Sequence, residues 1–308
     1  MGKTNAHKLS NVFVISHYLR SIIIIIGILG LYYGYIESKP KTEDLNKHYL
    51  KYQYSISSDR PDYYLSSIKK WRGKSIAVDT ILPIRWGVVS HHLLIKDLIA
   101  EYFLRLSKVV HPKTIVLIGP DHFSRSQFTM TISKLPWKTP FGLINPDNEI
   151  VRELLTSHIV KNDENAFYNE HSIGALVPFV KYYFPQAKIV TIIIRSDATN
   201  KDGQVLAEFI SSLKSPDFLP IASLDFSHYK TSIVAQHEDS ITIDILRHFD
   251  IGRYKDTFVD SHIALYTVME TCQKLHTFNL KIIHHTNSGI VTGKLTDPST
   301  SYLNLLIW

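Results

Sequence analysis

The nine residues TIVLIGPDH, at positions 114–122, decide the reading of the fold. Five β-branched or aliphatic residues in a row, from Thr114 to Ile118, show no polar alternation, the pattern of a strand covered on both faces. Gly119 and Pro120 end the run, and Asp121 and His122 follow at once. A strand buried on both faces belongs to a sheet sandwiched between helices. In such sheets ligands bind beyond the carboxyl ends of the strands. The stretch therefore predicts an architecture and also where its chemistry should sit.

Working outward, residues 75–80, 85–90, 187–194 and 219–223 read as further strands, and 302–308 as a terminal one. Apolar residues at helical spacing cover 93–106, and 146–156, 203–213, 240–249 and 262–276 read as helices. The alternation predicts an α/β domain over 74–308, with a largely parallel central sheet and helices on both faces. Neither an internal repeat nor a linker interrupts it.

Two more strands run into histidines. Residues 87–90 lead into His91-His92, and 221–224 lead into Asp225-Phe226-Ser227-His228. Parallel strands bring such ends to one edge, so His91, His122 and His228 are expected to converge. Neutral imidazole suits Fe, Cu, Zn and Ni, and two histidines with one carboxylate form the facial triad of non-haem Fe(II) oxygenases. His91 and His122 are the candidate imidazole ligands, with Asp121, Asp225 and Asp260 as candidate carboxylates. His228 is placed for acid–base work. Asn169-Glu170-His171-Ser172 reads equally as a helix cap or as part of the pocket. The adjacent His284 and His285 lie in a strand-like segment and would point to opposite faces.

Composition narrows the chemistry. The chain has 308 residues, 16 histidines and a single cysteine, Cys272. That excludes an intramolecular disulfide framework and any cysteine-rich zinc module. The net charge of +6 is spread without a basic run, so no nucleic-acid partner is expected. G-x-S-x-G, the P-loop, G-x-G-x-x-G and H-E-x-x-H are all absent.

The N-terminus reads separately. Residues 21–36, SIIIIIGILGLYYGYI, carry no charge and are expected to form a transmembrane anchor in the lipid bilayer. Residues 1–20 would then be cytoplasmic and 37–73 a polar tether. The C-terminal domain of this single-pass membrane protein would lie outside the cytoplasm. A cleaved signal peptide and a soluble core helix are the competing readings.

Five short motifs, in order, carry a resemblance: Val89-Ser90-His91-His92, Ile118-Gly119-Pro120-Asp121-His122, Glu170-His171-Ser172, Asp225-Phe226-Ser227-His228-Tyr229, and Asn287-Ser288-Gly289 with Thr300-Ser301-Tyr302. Together they resemble the Memo-like family, the protein B component of the AmmeMemoRadiSam set, whose fold is similar to class III extradiol dioxygenases. The resemblance implies metal ligands at His91 and His122, and His228 at the acid–base position; Asp225 and His171 are read as further candidate catalytic residues. Many members place a cysteine in the segment matching 259–261, where this chain has Asp260; Cys272 lies too far along to replace it. Asp260 would then restore a two-histidine, one-carboxylate set. The implied cofactor is a divalent metal, Fe(II) foremost, with Cu or Zn as alternatives. The chain departs from the family after the first histidine, with Leu93-Leu94 in place of a glycine-tyrosine pair. Two functions follow: a metalloprotein performing oxidative chemistry on a small phenolic molecule, or a non-catalytic module using the same pocket to bind a ligand or partner.

Overall fold

The computed structural model describes residues 50–51, 61–74, 83–213 and 216–308. The chain divides into units at 1–47 and 48–308, and every described residue belongs to the second. The expected anchor at 21–36 and strand at 75–80 lie outside the described residues. No helix among the described residues is long and apolar enough to cross a membrane. The expectation of a single-pass membrane protein with its C-terminal domain outside the cytoplasm is corrected on that finding.

Twelve strands are described: β1 (Leu50–Lys51), β2 (Trp86–Val89), β3 (Thr114–Pro120), β4 (Met130–Ile132), β5 (Trp137–Thr139), β6 (Gly142–Ile144), β7 (Lys161–Asn162), β8 (Lys188–Ile194), β9 (Phe218–Ser223), β10 (His228–Lys230), β11 (Leu280–Asn287) and β12 (Ser299–Ile307). Nine form the main sheet and β1, β5 and β6 a small separate one. The centre of the main sheet, β2-β9-β3-β8, is parallel. Antiparallel strands flank it on both sides: β4 against β8, and β12 against β2.

The quoted strand behaves as its composition predicts. Ile115 and Leu117 enter one apolar core with the helices Pro61–Trp71, Lys96–Val109 and Val177–Tyr183. Val116 and Ile118 enter a second core with Asn148–Thr156, Asn200–Ser212, Ser232–His248 and His262–Lys274. Alternate side chains meet helices above and below, which is why no polar period is visible.

Residues 61–71, read as part of a polar tether, form a helix. Its Tyr64 and Ile68 are buried in the first core. Its polar face is held by Asp97, which accepts from Ser67 Oγ and Lys70 Nζ, each at 2.6 Å, while the Trp71 indole donates to the Asp97 carbonyl. Tyr63, Leu65 and Trp71 also pack against that core, but Ser66, Ser67, Lys69 and Lys70 interrupt them, so the stretch read as polar.

The order β2-β9-β3 makes neighbours of the three strands that run into His91, Asp225 and His122. An isolated antiparallel bridge between Phe226 and Val259 brings Asp260 to the same edge.

Candidate metal centre

His91, His122 and His171 each offer a ligand atom within 4.8 Å of the others. The His91 ring lies 5.0 Å from His122 and 5.3 Å from His171, and the last two stack at 4.0 Å. Asp260 Oδ2 sits 3.5 Å from His91 Nε2 and 3.6 Å from His122 Nε2. Such a group of imidazoles and a carboxylate can hold a metal ion.

The surroundings orient both ligand imidazoles. Ser223 Oγ donates its one proton to the Ser172 carbonyl, so it can only accept from His91 Nδ1, 3.0 Å away. His91 is therefore fixed as the Nδ1–H tautomer with the lone pair of Nε2 facing the pocket. His122 Nδ1 donates to Glu170 Oε1 at 2.8 Å, and its backbone N–H to Oε2 at 2.8 Å, which again leaves Nε2 for the pocket. This is the outer-shell arrangement that orients metal-ligating histidines. His91 Nε2 and Asp260 Oδ1 are buried without any hydrogen-bond partner. Buried polar atoms left unpaired are costly, and a cation held by His91 Nε2 and the Asp260 carboxylate would reduce that cost. The residues present fit a metal.

Electrostatics point the same way. Burial holds the His91 pKa far below its ordinary value, with the neighbouring His122 and His171 charges adding to the effect. Burial also depresses His171, to about 4, again with His122 contributing. At His122 burial is outweighed by the Asp260 and Glu170 carboxylates, and the pKa rises to about 10. Asp225 is pushed up by burial and then by the Asp260 charge.

The sequence-derived residues fall as follows. His91, His122 and Asp260 face one another. Asp225 accepts the His91 backbone N–H at Oδ1 (3.1 Å) and donates its own backbone N–H to Asp260 Oδ2 (3.0 Å). His228, on β10, is held below its ordinary pKa by burial, and the Asp260 and His122 charges both act on it. His171, read as a proton-handling residue outside the ligand set, has its imidazole inside the triad. The segment does cap a helix, with Glu170 rather than Asn169 or Ser172 as the capping residue, and the same carboxylate holds His122. Asp121 is not brought in: its carboxylate accepts the backbone N–H groups of Arg125 and Ser126. Cys272 is buried in the second core.

Sequence reasoning missed Ser223, a plain strand-end serine, and gave Tyr302 a place in a motif but no role; its hydroxyl lies 2.8 Å from His92 Nδ1. It also missed why His284 matters. Ser90 N–H donates to Asn304 Oδ1 (2.8 Å), leaving the Asn304 amide nitrogen to donate to His284 Nδ1 (3.2 Å). His284 Nε2–H then donates to Glu101 Oε2 (3.0 Å), and Arg105 donates to Glu101 Oε1. His285 faces away and pairs with Asp239.

A sheet covered on both faces, with a histidine triad able to bind metal at its parallel strand ends, defines the class. The chain belongs to the Memo-like family, whose model, described as Memo-like protein, matches residues 89–306. A MEMO1 family protein of Sulfolobus acidocaldarius is 31% identical over 222 residues, 68% of this chain and 78% of that protein. One from Thermotoga maritima is 28% identical over 241 residues, 75% and 86% of the two chains. Among solved structures, that of an uncharacterized protein from Escherichia coli K12 superposes with a TM-score of 0.50 at 13% identity. It spans 71% of this chain and 99% of that one and shows a shared fold.

Proposed function

We propose that this chain is a metal-dependent oxidoreductase acting on a small phenolic molecule, with Fe(II) held by His91, His122 and Asp260. The observation that carries this reading is the buried, unpartnered His91 Nε2, with Asp260 Oδ2 3.5 Å away and both ligand imidazoles fixed in tautomer. Two histidines and a carboxylate with open positions are the donor set of non-haem Fe(II) oxygenases. Fe(II) in that set supplies a centre at which a phenolic oxygen and O₂ can be activated together; Cu or Zn would fit the same donors. His228 is kept neutral by its burial, so it can accept the proton of a substrate hydroxyl. Asp225 orients His91 through its backbone N–H. Glu170 and Ser223 keep the imidazoles aimed.

The test is metal content of the full chain purified anaerobically, as wild type and as His91→Ala with His122→Ala. Stoichiometric iron lost in the double variant, followed by oxygen uptake with catechols that falls in His228→Ala, is the expected result. A folded wild type that cannot be loaded with any metal overturns the reading and leaves a binding module. Asp260→Asn and His171→Ala, loaded in parallel, distinguish the two candidates for the third ligand.

A further inference from the structure

The strand that delivers His91 is held, at its last step, by a side chain instead of a neighbouring backbone. The β2–β12 ladder ends at the pair Val88–Leu305. Two residues beyond Val88, Ser90 is fully buried, and its N–H donates to Asn304 Oδ1 at 2.8 Å. The Ser90 hydroxyl donates to the Leu224 carbonyl and accepts from the Leu303 N–H. The N–H of the residue before His91 therefore depends on one amide side chain, itself fully buried, for its acceptor.

That contact fixes the direction of every proton behind it. A backbone N–H can only donate, so the Asn304 oxygen faces Ser90 and the amide nitrogen faces His284 Nδ1, 3.2 Å away. His284 Nδ1 is consequently the acceptor, and Nε2 carries the hydrogen that meets Glu101 Oε2 at 3.0 Å. A second proton on this neutral ring has only Nδ1 to go to, where it meets the Asn304 NH₂ donor to donor. An amide that turns to accept it brings its NH₂ against the Ser90 N–H, so the conflict is passed on to the strand end. Burial holds His284 below the ordinary imidazole value; the Glu101 carboxylate opposes this and the Arg105 charge adds to it. Both charges come from the Lys96–Val109 helix, while β12 offers the neutral Asn304, and His285, next along β11, points away to Asp239.

We propose that Asn304 is a positioning residue for the ligand His91, and that a proton on His284 releases its hold on the strand end. The proposal rests on the metal reading of the site above and adds its regulation. With His284 neutral, the line from Glu101 to Ser90 is intact and His91 is presented to the pocket. With His284 charged, the Ser90 N–H loses its acceptor where both partners are closed to solvent, and the next residue loses its fixed approach. A folded value below the unfolded one of about 6.5 makes the neutral ring the native form. Its contribution to stability is present above about pH 6.5 and is lost as pH falls through the folded value.

The experiment is a pH titration of the isotope-labelled full chain by NMR, following the His284 ring and the Ser90 amide in the wild type and in Asn304→Asp. A carboxylate at 304 accepts from the Ser90 N–H and also from a protonated His284 Nδ1, so it holds the strand end in both states. In the metal-free wild type the Ser90 amide should titrate together with His284, below about pH 6.5. In Asn304→Asp the ring should titrate above about pH 6.5, and Ser90 should no longer follow it. With Zn²⁺ as the probe, protonation of His284 should weaken binding to the wild type about tenfold beyond the loss seen in Asn304→Asp. By reciprocity, bound Zn²⁺ should make His284 about tenfold harder to protonate. A wild-type Ser90 amide indifferent to His284, or a His284 titration that bound Zn²⁺ leaves unmoved, overturns the proposal without recourse to the variant. A chain that takes up no Zn²⁺ while Ser90 follows His284 sinks the metal reading and keeps the hold of Asn304 on the strand end.

Discussion

The His91 imidazole and the Ser223 hydroxyl stand 3.0 Å apart with their donor and acceptor roles fixed, because the serine proton is committed to the Ser172 carbonyl. One hydroxyl thereby selects the tautomer of one ligand and ties its strand to the helix that carries His171. Ser223→Ala removes the acceptor and frees the ring to rotate or change tautomer. Metal affinity, measured by competition with a chelator, should fall about 10–100-fold while the thermal midpoint changes little. Unchanged affinity would mean that the ring is oriented by packing alone.

Gly119 sits where the Thr114–Pro120 strand passes the His171–Gly174 helix. A Cβ there would lie 2.8 Å from both Cβ and Oγ of Ser172, with Ser223 Cβ at 3.5 Å. Neither near atom is the end of a long side chain, so the helix has to move. Gly119→Ala should cost about 1–3 kcal/mol in denaturant unfolding and weaken metal binding together with stability. Wild-type metal affinity in a destabilised Gly119→Ala would show that the helix shifts without carrying His171 out of reach.

Cys272 is fully buried on the His262–Lys274 helix, and burial pushes its thiol up to about 12. Thiolate is the reactive form, so the native protein should be inert to a disulfide reagent at neutral pH. In denaturant one thiol per chain should appear, and its labelling rate under native conditions should track opening of the second core. Rapid labelling of the folded protein would contradict the packing described for that helix.

Asp97 links the Pro61–Trp71 helix to the domain. Burial raises its pKa, but the hydrogen bonds from Lys70 and Ser67 outweigh this and hold the carboxyl below its usual range. A depressed folded-state value stabilises the native state above the unfolded pKa of about 3.9 and loses that contribution as pH falls through the folded value. Protection of the backbone amides in residues 61–71 against hydrogen exchange should therefore fall selectively towards pH 3, and Asp97→Asn should reproduce the loss at pH 7. Equal protection at both pH values would place the helix's hold in its apolar packing and the Trp71 hydrogen bond to the Asp97 carbonyl.

Much of the fold was legible because the strands speak in composition: 114–118, 187–194 and 219–223 are dominated by aliphatic and β-branched residues and lie at the parallel centre. The helices at 148–156, 200–212 and 262–274 were legible through their spacing. The antiparallel flanks were not, since β11 and β4 look no different from parallel strands until their partners are known. At the site, strand-end position exposed His91, His122 and His228, whereas Asp260 was one of three candidate carboxylates until the Memo-like resemblance singled it out, and it reaches the edge through the Phe226–Val259 bridge. His171 was ambiguous for a physical reason: the glutamate before it both caps a short helix and holds His122. Ser223 was hidden because a serine that closes a strand carries no signal until the hydroxyl's two neighbours are in view.

The relay from Ser90 through Asn304 and His284 to Glu101 has every donor pointing away from the ligand strand, and Arg105 donates to Glu101 from the other end. An aspartate at 304 could not serve His284 as donor, and a leucine would strand the Ser90 N–H and the imidazole together. These residues are consequently exchangeable only as a set, and anyone grafting this pocket onto another scaffold would have to transplant the whole line, out to the arginine on the far helix.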